Sequence, residues 1–263
     1  MPALLDGVGI KTADLEAVSG ASKLGSPTER SRQQMMRRLY ACFQQRFQPE
    51  RVRLFYETFD ITEDTKVVDL GGGTFFWQLA QAQGRPVPRV TILNIRPVTG
   101  PLSPCVAAVI GDAKAAPFDD FSFDIAFSNS LIEHLFDWGS QCVFADEVRR
   151  LAPNYFVQTP DKHFPVEPHF ATPFIHWLPK SLRRQMIRNF TVWGLLNRPS
   201  RQNVESAVAE IKLLGPLEIS GLFPEAVLKR ETFMGLSKSI VAYRRQSTSV
   251  PTVKECQSAH QTL

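Results

Sequence analysis

An acidic residue and three glycines follow an apolar strand in VVDLGGGTFFW, residues 67–77, and a helix is predicted to begin directly after them. A strand that ends in a glycine turn lets a ligand approach the backbone closely, at the carboxyl edge of a parallel sheet where such folds bind ligands. A tight strand-to-helix turn without a ligand is the alternative interpretation. The candidate binding residues in this segment are Asp69, Gly71, Gly72 and Gly73.

Two common nucleotide motifs do not fit this glycine run. A dinucleotide fingerprint needs GxGxxG, but its last position counted from Gly71 is Phe76. No Lys-Ser or Lys-Thr follows the glycines, as a P-loop requires. The sequence therefore disfavours both a nicotinamide-dependent oxidoreductase and a P-loop nucleotide site.

A second motif, GDAKAAPFDDFSFDIAFSNSLIEHL, occupies residues 111–135 and begins at the distance expected two strands later. With both motifs, the stretch from about Lys66 to Pro160 resembles the class I S-adenosylmethionine-dependent methyltransferases. Within that class it is most similar to the small-molecule, methyltransferase type 11-like group typified by quinone-biosynthesis enzymes. The resemblance implies a Rossmann-like fold, S-adenosyl-L-methionine as cofactor and methyl transfer as the activity.

The resemblance also implies roles for residues at the amino-acid end of the cofactor. Asp69 and the backbone of Gly71 and Gly73 would hold this end, with the carboxylate attracting the cofactor's ammonium group. Asn129 and Ser130, at the end of the fourth strand, would line the sulfonium side.

At the nucleoside end, the resemblance implies that Asp112 accepts from the adenine amino group and that the backbone of Ala113 pairs with the ring. Two positions depart from the family's pattern. Asn94 ends the second strand, where an acid usually binds both ribose hydroxyls, and an amide can still donate and accept there. Phe75 stands in place of the third glycine of the family's loop.

Methyl transfer is a displacement at a carbon already activated by the positive sulfur, so it needs positioning and no protein nucleophile. A general base helps if the acceptor is a hydroxyl. The segment QTPDKHFPVEPHFATPFIHWLP, residues 158–179, supplies candidates because histidine titrates near neutral pH. His163, Glu167 and His169 are the candidate catalytic residues, and His176 lies nearby in the sequence.

These side chains have two alternative interpretations. They could only tie a proline-rich lid together by hydrogen bonds, or they could bind a divalent metal, since His163-x3-Glu167-x-His169 contains plausible ligand types. We assign no metal site from the sequence. His134, in NSLIEHL, is expected to border the cofactor or to cap the next helix.

The acceptor is expected to be a small molecule, a sugar or a lipid-linked intermediate, methylated on oxygen. Five aromatic residues after the fifth strand form either an apolar or sugar-stacking pocket or ordinary core: Phe164, Phe170, Phe174, Trp177 and Trp193. Nucleic acid is an improbable partner, because SNSLIEH replaces the Asn/Asp-Pro-Pro-aromatic run of base-amino methyltransferases, and Cys105 precedes the third strand. A cofactor-binding or regulatory protein without turnover is the alternative function.

Short apolar runs that alternate with helical segments position these motifs. They predict strands at 66–70, 90–94, 106–110, 123–128, 155–158, 226–232 and 238–244, and helices at 26–47, 74–84, 138–151, 179–190 and 200–214. Pro49 is expected to interrupt the first helix, and a second short helix carrying Val52, Phe55 and Phe59 follows it. The predicted fold class is α/β, a doubly wound Rossmann-like, mostly parallel seven-stranded sheet with an N-terminal helical extension and a cap after the fifth strand. The predicted divisions are a flexible N-terminus (1–25), N-terminal helices (26–60), the methyltransferase domain (61–245, with the cap at 158–199) and a flexible tail (246–263).

Composition sets the remaining expectations. The chain has 263 residues, a net charge of +4 and four cysteines without a CxxC pair, which disfavours a disulfide framework. No apolar run approaches the roughly 20 residues that cross a bilayer, and the N-terminus lacks the features of a secretory signal, so we expect a cytoplasmic protein. The arginines concentrated between Arg30 and Arg53 are expected to form the solvated face of an amphipathic helix, with a surface for phosphate groups as the alternative.

Overall fold

The strands of the described residues form two β-sheets, and the larger one positions the candidate site. The computed structural model describes residues 46–246, together with Met35. The strands are β1 (Lys66–Leu70), β2 (Arg89–Asn94), β3 (Val106–Ile110), β4 (Ile125–Asn129), β5 (Asn154–Pro160), β6 (Val166–Glu167), β7 (Thr172–Pro173), β8 (Val227–Phe233) and β9 (Leu236–Arg244). The helices are α1 (residues 46–58), α2 (Phe75–Ala82), α3 (Trp138–Leu151), α4 (Lys180–Phe190), α5 (Val192–Asn197), α6 (Arg201–Glu210) and α7 (Pro216–Leu222).

The larger sheet has seven strands in the order β3-β2-β1-β4-β5-β9-β8. The first five are parallel to one another, and β9 pairs antiparallel with both β5 and β8. The carboxyl ends of β1 to β5 therefore meet at one edge. The mostly parallel seven-stranded Rossmann-like sheet predicted from the sequence is confirmed, and each predicted strand lies within two residues of the observed one.

Apolar side chains cover both faces of this sheet. On one face α1 and α2 pack an aromatic cluster against it, in which Phe55 contacts Phe76, Trp77, Phe127 and Phe156 with ring centroids 5.2 to 5.9 Å apart. On the other face α3 and α7 bury Phe144, Val148, Ile219 and Leu222. Because both faces are buried, the strands are continuous apolar runs, as expected for a parallel sheet.

Four helices differ from the sequence expectation. Helix α1 includes Pro49, where a break was predicted, and burial of Val52 and Phe55 on the same helix compensates for the missing backbone donor. Helices α5 and α7 were not predicted, because each is too short to show a clear apolar period. The helix expected to reach Leu214 ends at Glu210.

The segment after β5 forms a cap with its own core. A short hairpin of β6 and β7 is followed by α4, α5 and α6. The hairpin and these helices bury Phe170, Ile187, Trp193, Val204 and Val208 in one cluster. Thr191 caps α5 by accepting a hydrogen bond from the backbone N–H of Gly194 at 2.9 Å. The cap is therefore packed from within as well as against the sheet.

Some expectations concern residues outside the described ranges. The predicted flexible segment 1–25, nearly all of the helix predicted at 26–47 and most of the tail after residue 246 lie there. Among the described residues, none of the helices combines the length and apolar composition that crossing a membrane requires. Cys105 and Cys142 are free thiols.

Candidate functional site

A cavity of about 350 Å³ opens at the carboxyl edge of the parallel strands. Its walls come from five parts of the chain: α1, the glycine loop after β1, the ends of β4 and β5, the cap, and the β8–β9 hairpin. Six of the sequence-predicted site residues line it, namely Asp69, Gly72, Gly73, Asn129, Ser130 and His169. The fold thus brings cofactor candidates and a catalytic candidate into one space.

The glycine loop wraps around the carboxylate of Asp69. This residue is 1% exposed, and its Oδ2 accepts a hydrogen bond from the Trp77 indole nitrogen at 2.9 Å. A Cβ on Gly72 would lie 2.0 Å from Asp69 Oδ1, so only glycine lets the loop pass over the carboxylate. Gly71 has a φ of +72°, which glycine adopts without strain. The three glycines therefore set a buried negative charge at the cavity wall.

Gly73 and Phe75 continue this wall. A Cβ on Gly73 would meet no atom within 4 Å, so the loop presents open backbone to the cavity at this position. Phe75 lines the cavity one residue after Thr74, and Phe76 lies beside it. Phe75, the predicted departure from the family's loop, is thus a half-buried part of the wall and does not fill the cavity.

The other cofactor candidates lie along the same edge but outside the cavity lining. The side-chain amide of Asn94 donates to the Gly72 carbonyl at 3.1 Å, which braces the glycine loop. Asp112 follows β3 with an exposed carboxylate that accepts from the Lys114 backbone at 2.9 Å. The side chain of Ala113 is buried in the core. Adjacent strands are about 4.8 Å apart, so Asp112, after β3, and Asn129, at the end of β4, are separated by roughly 14 Å along the edge.

Asn129 belongs to a charged network that the sequence did not reveal. Arg51 of α1 donates to Asn129 Oδ1 at 2.5 Å and to Glu231 Oε1 of β8 at 2.8 Å. Arg51 is 4% exposed, so the expectation that it lies on a solvated helix face is wrong. Because a buried guanidinium needs several acceptors, the network holds α1 against β8 at the cavity wall.

Lys238 of β9 adds a second cation beside this network. Its Nζ lies 3.5 Å from Glu231 Oε2 and 3.9 Å from the ring centroid of Phe47. Burial, together with the charge of Arg51, lowers the pKa of Lys238 to about 8. Burial raises the pKa of Glu231, but the charges of Arg51 and Lys238 outweigh it and hold this pKa at about 2. Among the buried groups, two cations and one anion thus leave an excess positive charge at this end of the cavity, and the exposed Glu50 is a further anion nearby.

The cap end of the cavity carries two histidines. His169 Nδ1 lies 2.6 Å from Glu167 Oε1, and its Nε2 lies 3.1 Å from Nε2 of His134. Glu167 is 1% exposed and lies behind His169, outside the cavity lining. Burial raises its pKa, but the charge of His169 and the hydrogen bond with it outweigh burial and hold the pKa below its ordinary value. Glu167 is therefore an anion that orients the His169 ring.

Two more carboxylates surround this histidine pair. His134 Nδ1 lies 3.3 Å from Glu210 Oε1 of α6, close enough for an ion pair although not aligned as a hydrogen bond. Glu133 is fully buried, and its Oε2 accepts from the Thr159 hydroxyl at 2.9 Å. Its Oε1 has no hydrogen-bond partner. His134, which was expected to border the cofactor or to cap the next helix, therefore belongs to a group of polar side chains at the cap.

The other two histidines after β5 do not line the cavity. The side chain of His163 is 64% exposed, and its Nδ1 lies 3.0 Å from Asp161 Oδ1. His176 Nε2 lies 3.0 Å from the Lys162 carbonyl, which Trp177 also contacts through its indole nitrogen at 2.9 Å. Burial lowers the pKa of His176, which favours the neutral ring. These contacts hold the cap segment together.

The aromatic residues expected at the acceptor pocket divide into two groups. Phe164, Phe170 and Trp193 line the cavity, and Phe233 of β8 joins them from the opposite side. Phe174 and Trp177 contact each other in a tilted arrangement with ring centroids 5.2 Å apart, and both are more than half exposed. The cavity therefore has apolar side walls between its two polar ends.

Several residues of the site were missed by sequence reasoning. Arg51 and Glu231 are 180 positions apart, and nothing local in the sequence marks them as partners. The sequence gives a weak signal that Glu133 and His134 belong to the site. Both are ionisable, and they lie a few residues after a strand that ends at the ligand edge. Glu210 lies in a helix that the sequence predicts without indicating its neighbours.

Comparison with known proteins gives structural matches only. No family model matches the sequence, and neither does any curated protein sequence. A 1,6-didemethyltoxoflavin-N1-methyltransferase from Burkholderia thailandensis, solved with 1,6-didemethyltoxoflavin and S-adenosylhomocysteine, has a TM-score of 0.49 and 11% identity over 86% of this chain and 93% of that one. A SAM-dependent methyltransferase from Methanosarcina mazei has a TM-score of 0.43 and 14% identity over 73% of this chain and 96% of that one. At these identities the similarity concerns the fold and no more.

Proposed function

We propose that this protein transfers a methyl group from S-adenosyl-L-methionine to oxygen of a small-molecule, sugar or lipid-linked acceptor held in the cavity under the cap. The observation that carries the proposal is that one cavity joins a buried carboxylate under a glycine loop to an oriented histidine. Asp69 and His169 both line this cavity. The first suits the cofactor's ammonium group, and the second suits the acceptor's proton.

The edge of the sheet fits the cofactor as a whole. Asp69, with the backbone of Gly71, Gly72 and Gly73, holds the amino-acid end, and Asn129 and Ser130 border the sulfonium. Excess positive charge from Arg51 and Lys238 lies on the same side as Asn129 and suits the cofactor's carboxylate. Asn94, Asp112 and the backbone of Ala113 receive the nucleoside. When bound, the cofactor supplies the activated methyl group.

The chain's own groups then prepare the acceptor. Phe164, Phe170 and Trp193 offer apolar surface that excludes water and favours a flat or partly apolar acceptor. Glu167 holds the His169 ring by its Nδ1, so Nε2 takes the proton of an acceptor hydroxyl when that hydroxyl replaces its 3.1 Å contact with His134. His163, a candidate from the sequence, lies apart from this position.

A second candidate function is cofactor binding without turnover. Asn94 favours it, because its amide donates to the Gly72 carbonyl and its Oδ1 lies 3.3 Å from the Arg96 backbone nitrogen. These contacts compete with the ribose hydroxyls that an acid would bind at this position. Product formation separates the two functions.

The test begins with binding of S-adenosylhomocysteine by isothermal titration calorimetry. We expect wild-type protein to bind and Asp112→Ala to lose at least tenfold in affinity. Asp119→Ala is the matched control, because it removes an equally exposed carboxylate from the same loop. Equal affinity of wild type and Asp112→Ala would refute the placement of the nucleoside.

Turnover is then tested with isotopically labelled cofactor and a cell extract, followed by untargeted mass spectrometry. A labelled product in wild type that disappears in His169→Ala and persists in His163→Ala supports methyl transfer at the cap. Binding of S-adenosylhomocysteine without any labelled product would favour the second function. Absence of binding would remove both.

A further inference from the structure

We propose that Glu133, His134 and His169 bind a divalent transition-metal ion at the cap end of the cavity. These three residues line the cavity, and one ligand atom from each lies within 4.8 Å of the other two. Two imidazoles and one carboxylate form a ligand set typical of zinc, iron, cobalt or nickel. Magnesium and calcium prefer oxygen ligands throughout and fit this set less well.

The orientation of the two rings is the first argument. Glu167 lies 2.6 Å from Nδ1 of His169, and Glu210 lies 3.3 Å from Nδ1 of His134. A carboxylate beside Nδ1 favours the proton at that nitrogen and leaves a lone pair on Nε2. The two Nε2 atoms are nevertheless 3.1 Å apart. One of the two nitrogens therefore carries a proton that forms the His134–His169 hydrogen bond, and a metal ion held by both lone pairs would take the place of that proton.

The distance between the rings is the second argument. Metal–nitrogen bonds of about 2.0 to 2.1 Å to two atoms 3.1 Å apart enclose an angle of roughly 95 to 102°. This value lies between the octahedral and tetrahedral angles. The rings are also nearly perpendicular, at 85°, so both can direct Nε2 at one point without overlapping. The pair needs little movement to bind an ion.

The third argument concerns Glu133. Its side chain is 0% exposed, and its Oε1 lacks a hydrogen-bond partner while Oε2 is held by Thr159. A buried unpartnered carboxylate oxygen is costly, and coordination of a cation would satisfy it. Ligand atoms on one ion are about 3.0 to 3.4 Å apart, so binding would draw this carboxylate inward.

Charge around the cluster also favours a cation. Among the described residues, Glu133, Glu167 and Glu210 form no ion pair with lysine or arginine, although the charge of Arg183 acts on Glu167. When both rings are neutral, as metal ligands are, the three carboxylates outweigh the charge of Arg183 and leave this part of the protein interior negative. A divalent ion offsets most of that charge.

The ion would face the cavity through its remaining coordination positions. An acceptor hydroxyl bound there would lose its proton more readily, because coordination lowers its pKa. In the metal-loaded protein His169 would be a ligand and would no longer accept the proton, which would pass from the coordinated hydroxyl to solvent water. This consequence rests on the proposed methyl transfer, whereas binding of the ion does not.

The experiment measures metal binding by the full chain after chelator treatment. Zn²⁺ is titrated by calorimetry with stoichiometry checked by elemental analysis, and Co²⁺ is titrated by visible absorption, which reports nitrogen and oxygen ligands directly. We expect one ion per chain in wild type and loss of binding in His169→Ala and Glu133→Gln. Glu210→Gln, which alters the support of His134, should weaken binding about 10- to 100-fold. His163→Ala is the matched control and should bind as wild type does.

Two results would overturn the proposal: wild type that binds neither ion, or binding that survives unchanged in both His169→Ala and Glu133→Gln. Circular dichroism of each variant shows whether loss of binding reflects loss of fold, and Glu133→Gln, nearly isosteric, serves if His169→Ala does not fold. S-adenosylhomocysteine binding is measured on the same preparations. Metal binding without cofactor binding would leave this inference standing and remove the proposed function, and the reverse result would do the opposite.

Discussion

Replacing Gly72 with alanine tests how the glycine loop and the buried carboxylate depend on each other. The new Cβ would lie 2.0 Å from Asp69 Oδ1 and 2.1 Å from its Cγ and Oδ2. Real contacts of this kind need about 3.4 Å or more, so the carboxylate or the loop has to move by more than 1 Å. Asp69 cannot move that far and keep its 2.9 Å hydrogen bond from Trp77, because both side chains are buried.

The magnitude follows from these contacts. A hydrogen bond to a charged group contributes about 1.5 to 3 kcal/mol, and overpacking of a tight site costs about 1 to 3 kcal/mol. Alanine lowers the conformational entropy of the unfolded chain, which restores about 0.4 to 1 kcal/mol of stability. We expect Gly72→Ala to lower the free energy of unfolding by about 2 to 4 kcal/mol. For a domain of this size that corresponds to a melting temperature lower by roughly 5 to 15 °C.

Gly73→Ala is the matched control. It makes the same chemical change one residue later, where a Cβ meets no atom within 4 Å and the φ angle is not positive. We expect its melting temperature to stay close to that of wild type. Thermal unfolding followed by the fluorescence of Trp77 and the other tryptophans gives both melting temperatures under the same conditions.

The reasoning fails if Gly72→Ala melts within about 1 °C of wild type. It also fails if Gly73→Ala is destabilised as much as Gly72→Ala, because the effect would then come from the backbone of the loop and not from the Asp69 carboxylate.

Two further predictions concern pH. The pKa of Glu231 is held at about 2 in the folded protein, against 4.5 ordinarily. Its ionised form therefore stabilises the fold above pH 4.5 by about 3 kcal/mol, and this contribution is lost as the pH falls from 4.5 towards 2. Urea unfolding should show that Glu231→Gln is less stable than wild type at pH 6 and nearly as stable as wild type near pH 2, since protonated Glu231 resembles glutamine. A difference in the free energy of unfolding that stays constant with pH would contradict this. The pKa of Lys238 is lowered to about 8, so between pH 8 and 10 the unfolded state binds more protons and stability should rise with pH. Lys238→Met should lack this rise, and parallel curves for the two proteins would count against a buried lysine.

Local sequence patterns determined how much of the fold could be predicted. The order of strand, acid, glycines and helix at residues 67–77 and the apolar runs of β2 to β5 are visible in the sequence, because buried parallel strands leave short continuous apolar segments. The density of proline and aromatic residues after β5 likewise indicated a cap. The short helices α5 and α7 and the continuation of α1 through Pro49 were missed, since two turns or fewer, or one proline against a buried face, leave no reliable pattern.

The candidate site shows the same division. The sequence placed Asp69, Gly73 and Asn129 at strand ends, and parallel strands necessarily bring such residues to one edge. It could not separate His169, which lines the cavity, from His163, whose ring is exposed beside Asp161. Six residues apart in an irregular segment, the two rings differ only through the β6–β7 hairpin that turns one inward.

The sequence by itself determined the layered α/β fold, the ligand edge and the glycine loop, because hydrophobic periodicity and backbone geometry act over a few neighbouring residues. Only the tertiary structure decided that Arg51 meets Glu231 and that His134 meets His169. Charged and polar side chains find partners through space, across 180 and 35 positions of chain, and the insertion of β9 between β5 and β8 and the folding of the cap bring them together. Such pairs leave no periodic trace in the sequence, since their energy depends on distance and burial in the folded state.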